Sequence, residues 1–165
     1  MKTKTQKIVI ASMLAALCCV ATMIIKIPSP QKGYLNLGDC VVLLCGWLMS
    51  PAYGFAAAGI GSALADLFSG YVVYAPATFL IKGIMATIAH FCFMGMHQKL
   101  GNTPAKMLGG ALAEVEMVFG YFVFEGFMYG FIPSAINIPA NIVQGAAGLI
   151  IGFILVKIFD KAKIF

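Results

Sequence analysis

The sequence predicts an all-α membrane protein: one integral membrane domain over residues 1–165, a bundle of six transmembrane helices with both termini in the cytoplasm. Three observations predict it. Hydrophobic residues make up 61% of the chain and charged residues 10%, with a mean hydropathy of +0.95, whereas a soluble domain averages about 25% charged. That much apolar surface has no globular interior to enter, so lipid is its solvent. The apolar runs lack the two-residue alternation of barrel strands, which leaves helices as the spanning element. Finally, the eleven basic residues are all lysines, and they segregate by loop.

The elements follow in order. A short polar tail, "MKTKTQ", precedes a first span near 7–25. This run lacks a cleavage site and is too long for a signal-peptide core, so it reads as a retained span. The second and third spans, near 37–49 and 52–68, are short for a bilayer of roughly 30 Å and are expected to tilt or re-enter. The fourth, fifth and sixth lie near 75–96, 105–129 and 136–159. Breaks fall at "KIPSPQKG", "SP", "SGYVVYAP", "HQKLGNTP" and "GFIPS", where Gly, Pro and Ser interrupt the apolar runs.

An even number of spans puts both termini on one side. Lys2, Lys4, Lys7, Lys157, Lys161 and Lys163 lie at the termini, and Lys99 and Lys106 lie in a loop on the same side. Only Lys26 and Lys32 lie opposite, with Lys82 inside the fourth span. The positive-inside rule makes the lysine-rich side cytoplasmic. The charge surplus is therefore topology, not a nucleic-acid footprint.

This orientation gathers the polar residues into a layer near the outside. Asn36, Asp39, Asp66, Thr78 and Lys82 fall in the outer parts of the second, third and fourth spans. Asn137, Asn141 and Gln144 are spaced by four and three, so they share one helical face. Tyr121, Glu125 and Tyr129 step by four and form a second polar stripe at the same depth. Ionisable groups facing lipid are costly, so both stripes point inward. Two such stripes with aromatic neighbours predict a cavity for a small, partly aromatic, hydrogen-bonding solute.

Structural roles stand beside each of these. Asn137 is placed to cap the sixth helix. Asn141 and Gln144 suit interhelical hydrogen bonding. Glu125 suits an ion pair with Lys82. Asp39 and Asp66 suit a salt-bridge partner and a cap, and Tyr71 and Tyr74 an interfacial belt. Glu114 and Glu116 lie about 14–16 Å deeper than Glu125 and face nearly opposite directions. Glu116, with His90 at mid-depth in the fourth span, is a candidate for the cavity floor.

Other chemistry is missing. The five cysteines sit in apolar runs without a CxxC pair and read as core residues. His90 and His97 are seven apart and do not read as a metal pair. No phosphate-binding GxxxxGK[ST] loop, GxSxG or HExxH occurs, so neither nucleotide hydrolysis nor a nameable catalytic set is predicted, and no cofactor is called for.

The run from Tyr34 to Met85 carries "NLGD", a Ser50-Pro51 turn, "GSALADL" and "YAP-x-TF-x-IKG". It resembles the membrane-embedded substrate-binding subunits (S components) of energy-coupling factor (ECF) transporters. The later "FEGFMYG" and "PANIVQG" resemble the small-chain group that takes up hydroxymethylpyrimidine or vitamin B6-type compounds. The resemblance implies six helices with cytoplasmic termini in a bacterial plasma membrane. It implies an outward solute site from the first loop and helices four to six, here Glu125, Asn141 and Gln144 with Tyr121, Asn137 and Lys82. It further implies a coupling subunit that docks on an AxxxA motif, here Ala11 and Ala15. Two partner ATPases and delivery by toppling in the membrane complete what it implies. A B6 vitamer or hydroxymethylpyrimidine is the expected solute. A queuine-like base, or a stand-alone proton-coupled carrier, is the alternative.

Overall fold

The computed structural model describes residues 3–28 and 34–162; Lys2, Lys32 and Lys163 lie outside the described residues. The chain runs α1 (Lys4–Ile24), β1 (Lys26–Pro28), β2 (Tyr34–Asn36), α2 (Gly38–Leu48), α3 (Pro51–Phe68), α4 (Ala75–Leu100), α5 (Asn102–Tyr129), α6 (Phe131–Ala135) and α7 (Ile138–Ala162). Among the described residues the fold is helical apart from one antiparallel hairpin, β1–β2, which pairs Lys26 with Asn36 and Pro28 with Tyr34. An all-α expectation misses this hairpin, because three-residue strands leave no periodic signal.

Local chemistry explains the helix ends. Thr3 and Gln6 form a reciprocal capping box at the start of α1. Pro51 opens α3 without wasting a backbone donor. Gly101 and Gly130, at φ +82° and +95°, make the turns out of α4 and α5 that other residues adopt only with strain. The "GFIPS" break is itself a short helix, α6, before the long final one.

Helix α2 occupies the middle of the bundle. Every residue from Gly38 to Trp47 is buried, which suits a helix that is apolar all round. It packs against α1, α3, α4 and α7. Gly46 permits the closest approach, since a Cβ there would run into the Ala86 carbonyl of α4. At 11 residues α2 extends only about 16 Å, too short to cross a bilayer alone. Among the described residues, four helices are long and apolar enough to cross one: α1, α4, α5 and the α6–α7 segment. Their outer faces expose Met13, Val20, Phe91, Phe119, Ile132 and Ile150, the pattern of a bundle solvated by lipid.

Ala11 belongs to the core, and Ala15 is half-buried against it, its carbonyl close to Gly61 of α3. Gly61, where a Cβ would run into the Ala15 carbonyl, lets α1 lie close against α3. Beside Ala11 and Ala15, α1 turns outward Ser12, Met13, Ala16, Leu17 and Val20, and towards its ends Ile8, Val9 and Ile24.

Candidate functional site

At one end of the bundle the helices part around a small polar cavity of about 40 Å³. The hairpin supplies Tyr34 and Asn36, and the end of α3 supplies Asp66. The following loop and α4 supply Tyr71, Tyr74 and Thr78. Helix α5 supplies Tyr121 and Glu125, and α7 supplies Asn141 and Gln144.

Hydrogen bonds hold these walls together. Tyr34 donates to Asp66 Oδ1 at 2.7 Å, and Thr78 and Tyr121 share a hydroxyl–hydroxyl bond of 3.1 Å. The Asn36 backbone N–H donates to Gln144 Oε1 at 2.9 Å, tying the hairpin to α7. Asn36 Oδ1 accepts the Gly38 N–H at 2.9 Å and so satisfies a free donor at the start of α2. Burial, and then the neighbouring Asp66 carboxylate, raise the Tyr34 phenol above its ordinary range. It stays a protonated donor at neutral pH.

Beneath the cavity lies a second buried network. Lys82 of α4 pairs with Asp39 Oδ1 of α2, and Gln144 Nε2 donates to Asp39 Oδ2 at 2.7 Å. Gln144 thus joins the cavity above to the ion pair below. Lys82 also stands 5.4 Å from the centre of the Tyr121 ring.

The structure brings together Glu125, Asn141, Gln144 and Tyr121 of the sequence-predicted residues at the cavity wall. Asn137 stands behind them, fully buried, and donates to Glu125 Oε2 at 2.8 Å. It fixes the carboxylate that Tyr74 meets at 3.4 Å on its other oxygen. The amide of Asn141, in contrast, has no partner among the described residues. Lys82 does not pair with Glu125; Asp39 takes it instead. Glu116 and His90 are not brought to the cavity. His90 donates to the Gly46 carbonyl at 3.1 Å, as a brace between α4 and α2. Glu114, two residues before Glu116, rests against Gly145 and Gly148 of α7 and faces an apolar groove between α5 and α7.

Asp66, expected in the outer polar layer as a cap or a cavity carboxylate, and Tyr71 and Tyr74, expected in an interfacial belt, line the cavity together with Tyr34, which no span pattern singles out. The available signal was local: "YLN" is a tyrosine and an amide between a Pro/Lys/Gly-rich break and the start of a helix. That is loop chemistry rather than span chemistry.

The profile of a protein family described as "ECF-type riboflavin transporter, S component" matches residues 2–161. An uncharacterized protein in a gap 3' region of Pyrococcus woesei is 37% identical over 134 residues, 81% of this chain and 87% of that one. The thiamine precursor transporter HmpT of Lactococcus lactis subsp. cremoris is 28% identical over 134 residues, 81% of this chain and 72% of its own. A solved structure described as "Structure and mechanism of the S component of a bacterial ECF transporter" superposes with a TM-score of 0.73 at 21% identity, covering 96% of this chain and 98% of that one. At that identity the likeness shows the fold alone.

Proposed function

This chain belongs to the ECF-type riboflavin transporter S component family, and on that premise we propose that its polar cavity captures a small heterocyclic vitamin or precursor from outside the cell. The protein is an integral plasma-membrane protein, the substrate-binding subunit of a vitamin or precursor transporter, not an enzyme. In our reading residues 1–165 form one membrane domain with six spans and cytoplasmic termini. The lysine-rich ends, with Lys99 at the end of α4 and Lys106 near the start of α5, support that orientation.

The observation that carries the reading is the cavity: Glu125, Asn141 and Gln144 on tyrosine-rich walls, inside an otherwise apolar bundle. Amides read the edges of a heterocycle, an aromatic wall stacks on its face, and a carboxylate receives an amine. The chain has no arginine to clamp a phosphate or carboxylate bidentately; Lys82 is bound to Asp39 and Lys26 to Ser69. Pyridoxamine, pyridoxine and hydroxymethylpyrimidine are therefore favoured, ahead of a queuine-like base. The HmpT similarity supports the precursor class.

Delivery in this reading is by toppling, in complex with a coupling subunit and two ATPases that supply the nucleotide chemistry this chain lacks. Helix α1 is the docking element. The AxxxA pair expected to dock, Ala11 and Ala15, lies on the inward side of α1 in the free chain, so the docking face in this reading is the exposed side of α1 beside it. The test is thermal stabilisation of the purified chain by pyridoxamine, pyridoxine, hydroxymethylpyrimidine, queuine, riboflavin, pyridoxal phosphate and a dicarboxylate. One of the unphosphorylated single-ring compounds stabilises it most. Stabilisation by phosphorylated or dicarboxylate compounds alone overturns the reading.

A further inference from the structure

Two carboxylates reach the cavity from different helices, Asp66 at the end of α3 and Glu125 on α5, and among the described residues no lysine or histidine lines it; Lys26, 5.9 Å from the centre of the Tyr34 ring, donates to Ser69. Each is met by one tyrosine hydroxyl, from Tyr34 at 2.7 Å and from Tyr74 at 3.4 Å. The rings form a continuous series, with Tyr34 and Tyr71 centred 4.8 Å apart and Tyr71 and Tyr74 6.1 Å apart. The two acids therefore stand at the two ends of one tyrosine wall.

Asp66 is 5% exposed, and its Oδ2 is buried without a hydrogen-bond partner among the described residues. A buried carboxylate oxygen left without a donor is costly. The bundle's own buried lysine does not relieve it, because Asp39 holds Lys82. The nearby Thr78 hydroxyl bears on this carboxylate but is shared with Tyr121, and the cavity that Asp66 lines gives a solute donor access to the open oxygen.

We propose that Asp66 determines specificity: its free oxygen receives a charged nitrogen of the solute, so the solute is a flat organic cation with donor groups at both ends, one for Asp66 and one for Glu125. This rests on the reading of the cavity as the solute site, and adds the solute's charge class to it. A cation is favoured three times over. It compensates two carboxylates in a low-dielectric site. It donates charge-assisted hydrogen bonds to both. It also lies against tyrosine faces, whose quadrupoles attract positive charge.

The experiment titrates the purified full chain in detergent with pyridoxamine and with pyridoxine, which share a ring but carry an aminomethyl and a hydroxymethyl group respectively. Wild type, Asp66→Asn and Tyr34→Phe are compared, with the melting temperature of each solute-free protein as the folding control. Wild type prefers pyridoxamine. Asp66→Asn keeps an acceptor for Tyr34, yet loses about tenfold or more on pyridoxamine and less than about threefold on pyridoxine. Tyr34→Phe leaves both charges in place and keeps the preference. An Asp66→Asn loss equal for both compounds overturns the inference. So does a Tyr34→Phe variant that reproduces the Asp66→Asn pattern, because Asp66 is then only the anchor of the hairpin. If Asp66→Asn does not fold, wild type alone decides: preference for pyridoxine, or for the anionic pyridoxic acid, overturns it. Failure of wild type to bind pyridoxamine, pyridoxine or hydroxymethylpyrimidine instead removes the underlying reading of the cavity, and the inference with it.

Discussion

Asp39 of α2 and Lys82 of α4 form a buried ion pair at the centre of the bundle, and Gln144 of α7 donates to the second Asp39 oxygen at 2.7 Å. Both charged side chains are almost fully buried, at 0% and 2% exposed. Breaking such a pair leaves one uncompensated charge, at a cost of about 3–5 kcal/mol. Lys82→Met is therefore expected to lower the melting temperature of the detergent-solubilised protein sharply. Lys82→Met combined with Asp39→Leu recovers much of the loss. A double variant no more stable than Lys82→Met contradicts the pairing.

The two amides of α7 separate by experiment. Asn141 lines the cavity with its amide unpartnered, so Asn141→Ala weakens solute binding and leaves the solute-free melting temperature unchanged. A hydrogen bond worth about 1–3 kcal/mol corresponds to roughly five- to 150-fold in affinity. Gln144 also holds Asn36 and Asp39, so Gln144→Ala lowers both affinity and stability. Calorimetric titration alongside a thermal melt distinguishes them.

Alkaline pH addresses the hairpin. The folded-state pKa of Tyr34 is raised by burial and by Asp66. Its contribution to stability is complete below the unfolded phenol pKa of about 10 and is lost as pH rises above that value. Wild type therefore loses stability above about pH 10 more steeply than Tyr34→Phe. Parallel pH profiles contradict the Tyr34–Asp66 bond.

On α1, the buried and outward small residues predict opposite phenotypes. Ala11→Leu overpacks the contact with α3 and costs about 1–3 kcal/mol of stability. Ala16→Trp, on the outward face beside Met13 and Leu17, keeps binding and melting temperature and abolishes uptake when the coupling subunit and ATPases are present. Uptake at the wild-type rate by Ala16→Trp places the docking face elsewhere.

These contrasts mark how far the sequence carried. The four-and-three spacing of Asn137, Asn141 and Gln144 was enough to put three amides on one face, and Glu125 fell at the same depth by counting along α5. What spacing does not encode is which neighbour each group finds. Lys82 meets Asp39, 43 positions away, because α2 lies buried beside α4, and nothing local in either span selects Asp39 over Glu125. Two carboxylates two residues apart on a helix must diverge. Which of them meets α7 depends on Gly145 and Gly148, where a side chain would collide with Glu114. His90 looks like a cavity candidate by depth, yet the close approach at Gly46 brings a backbone carbonyl within its reach. Tyr34 sits in a three-residue strand that carries no periodicity at all.

If the polar cavity holds the solute, a side chain that fills the cavity excludes the solute. Asn141 is half-buried at the wall and makes no side-chain bond that its replacement would break. Binding of pyridoxamine, pyridoxine and hydroxymethylpyrimidine is measured by calorimetric titration on wild type and on Asn141→Trp in the same detergent. The account predicts one-to-one binding of at least one of them to wild type, and no measurable binding to an Asn141→Trp protein that melts at the wild-type temperature. Wild-type affinity in that folded variant would contradict it.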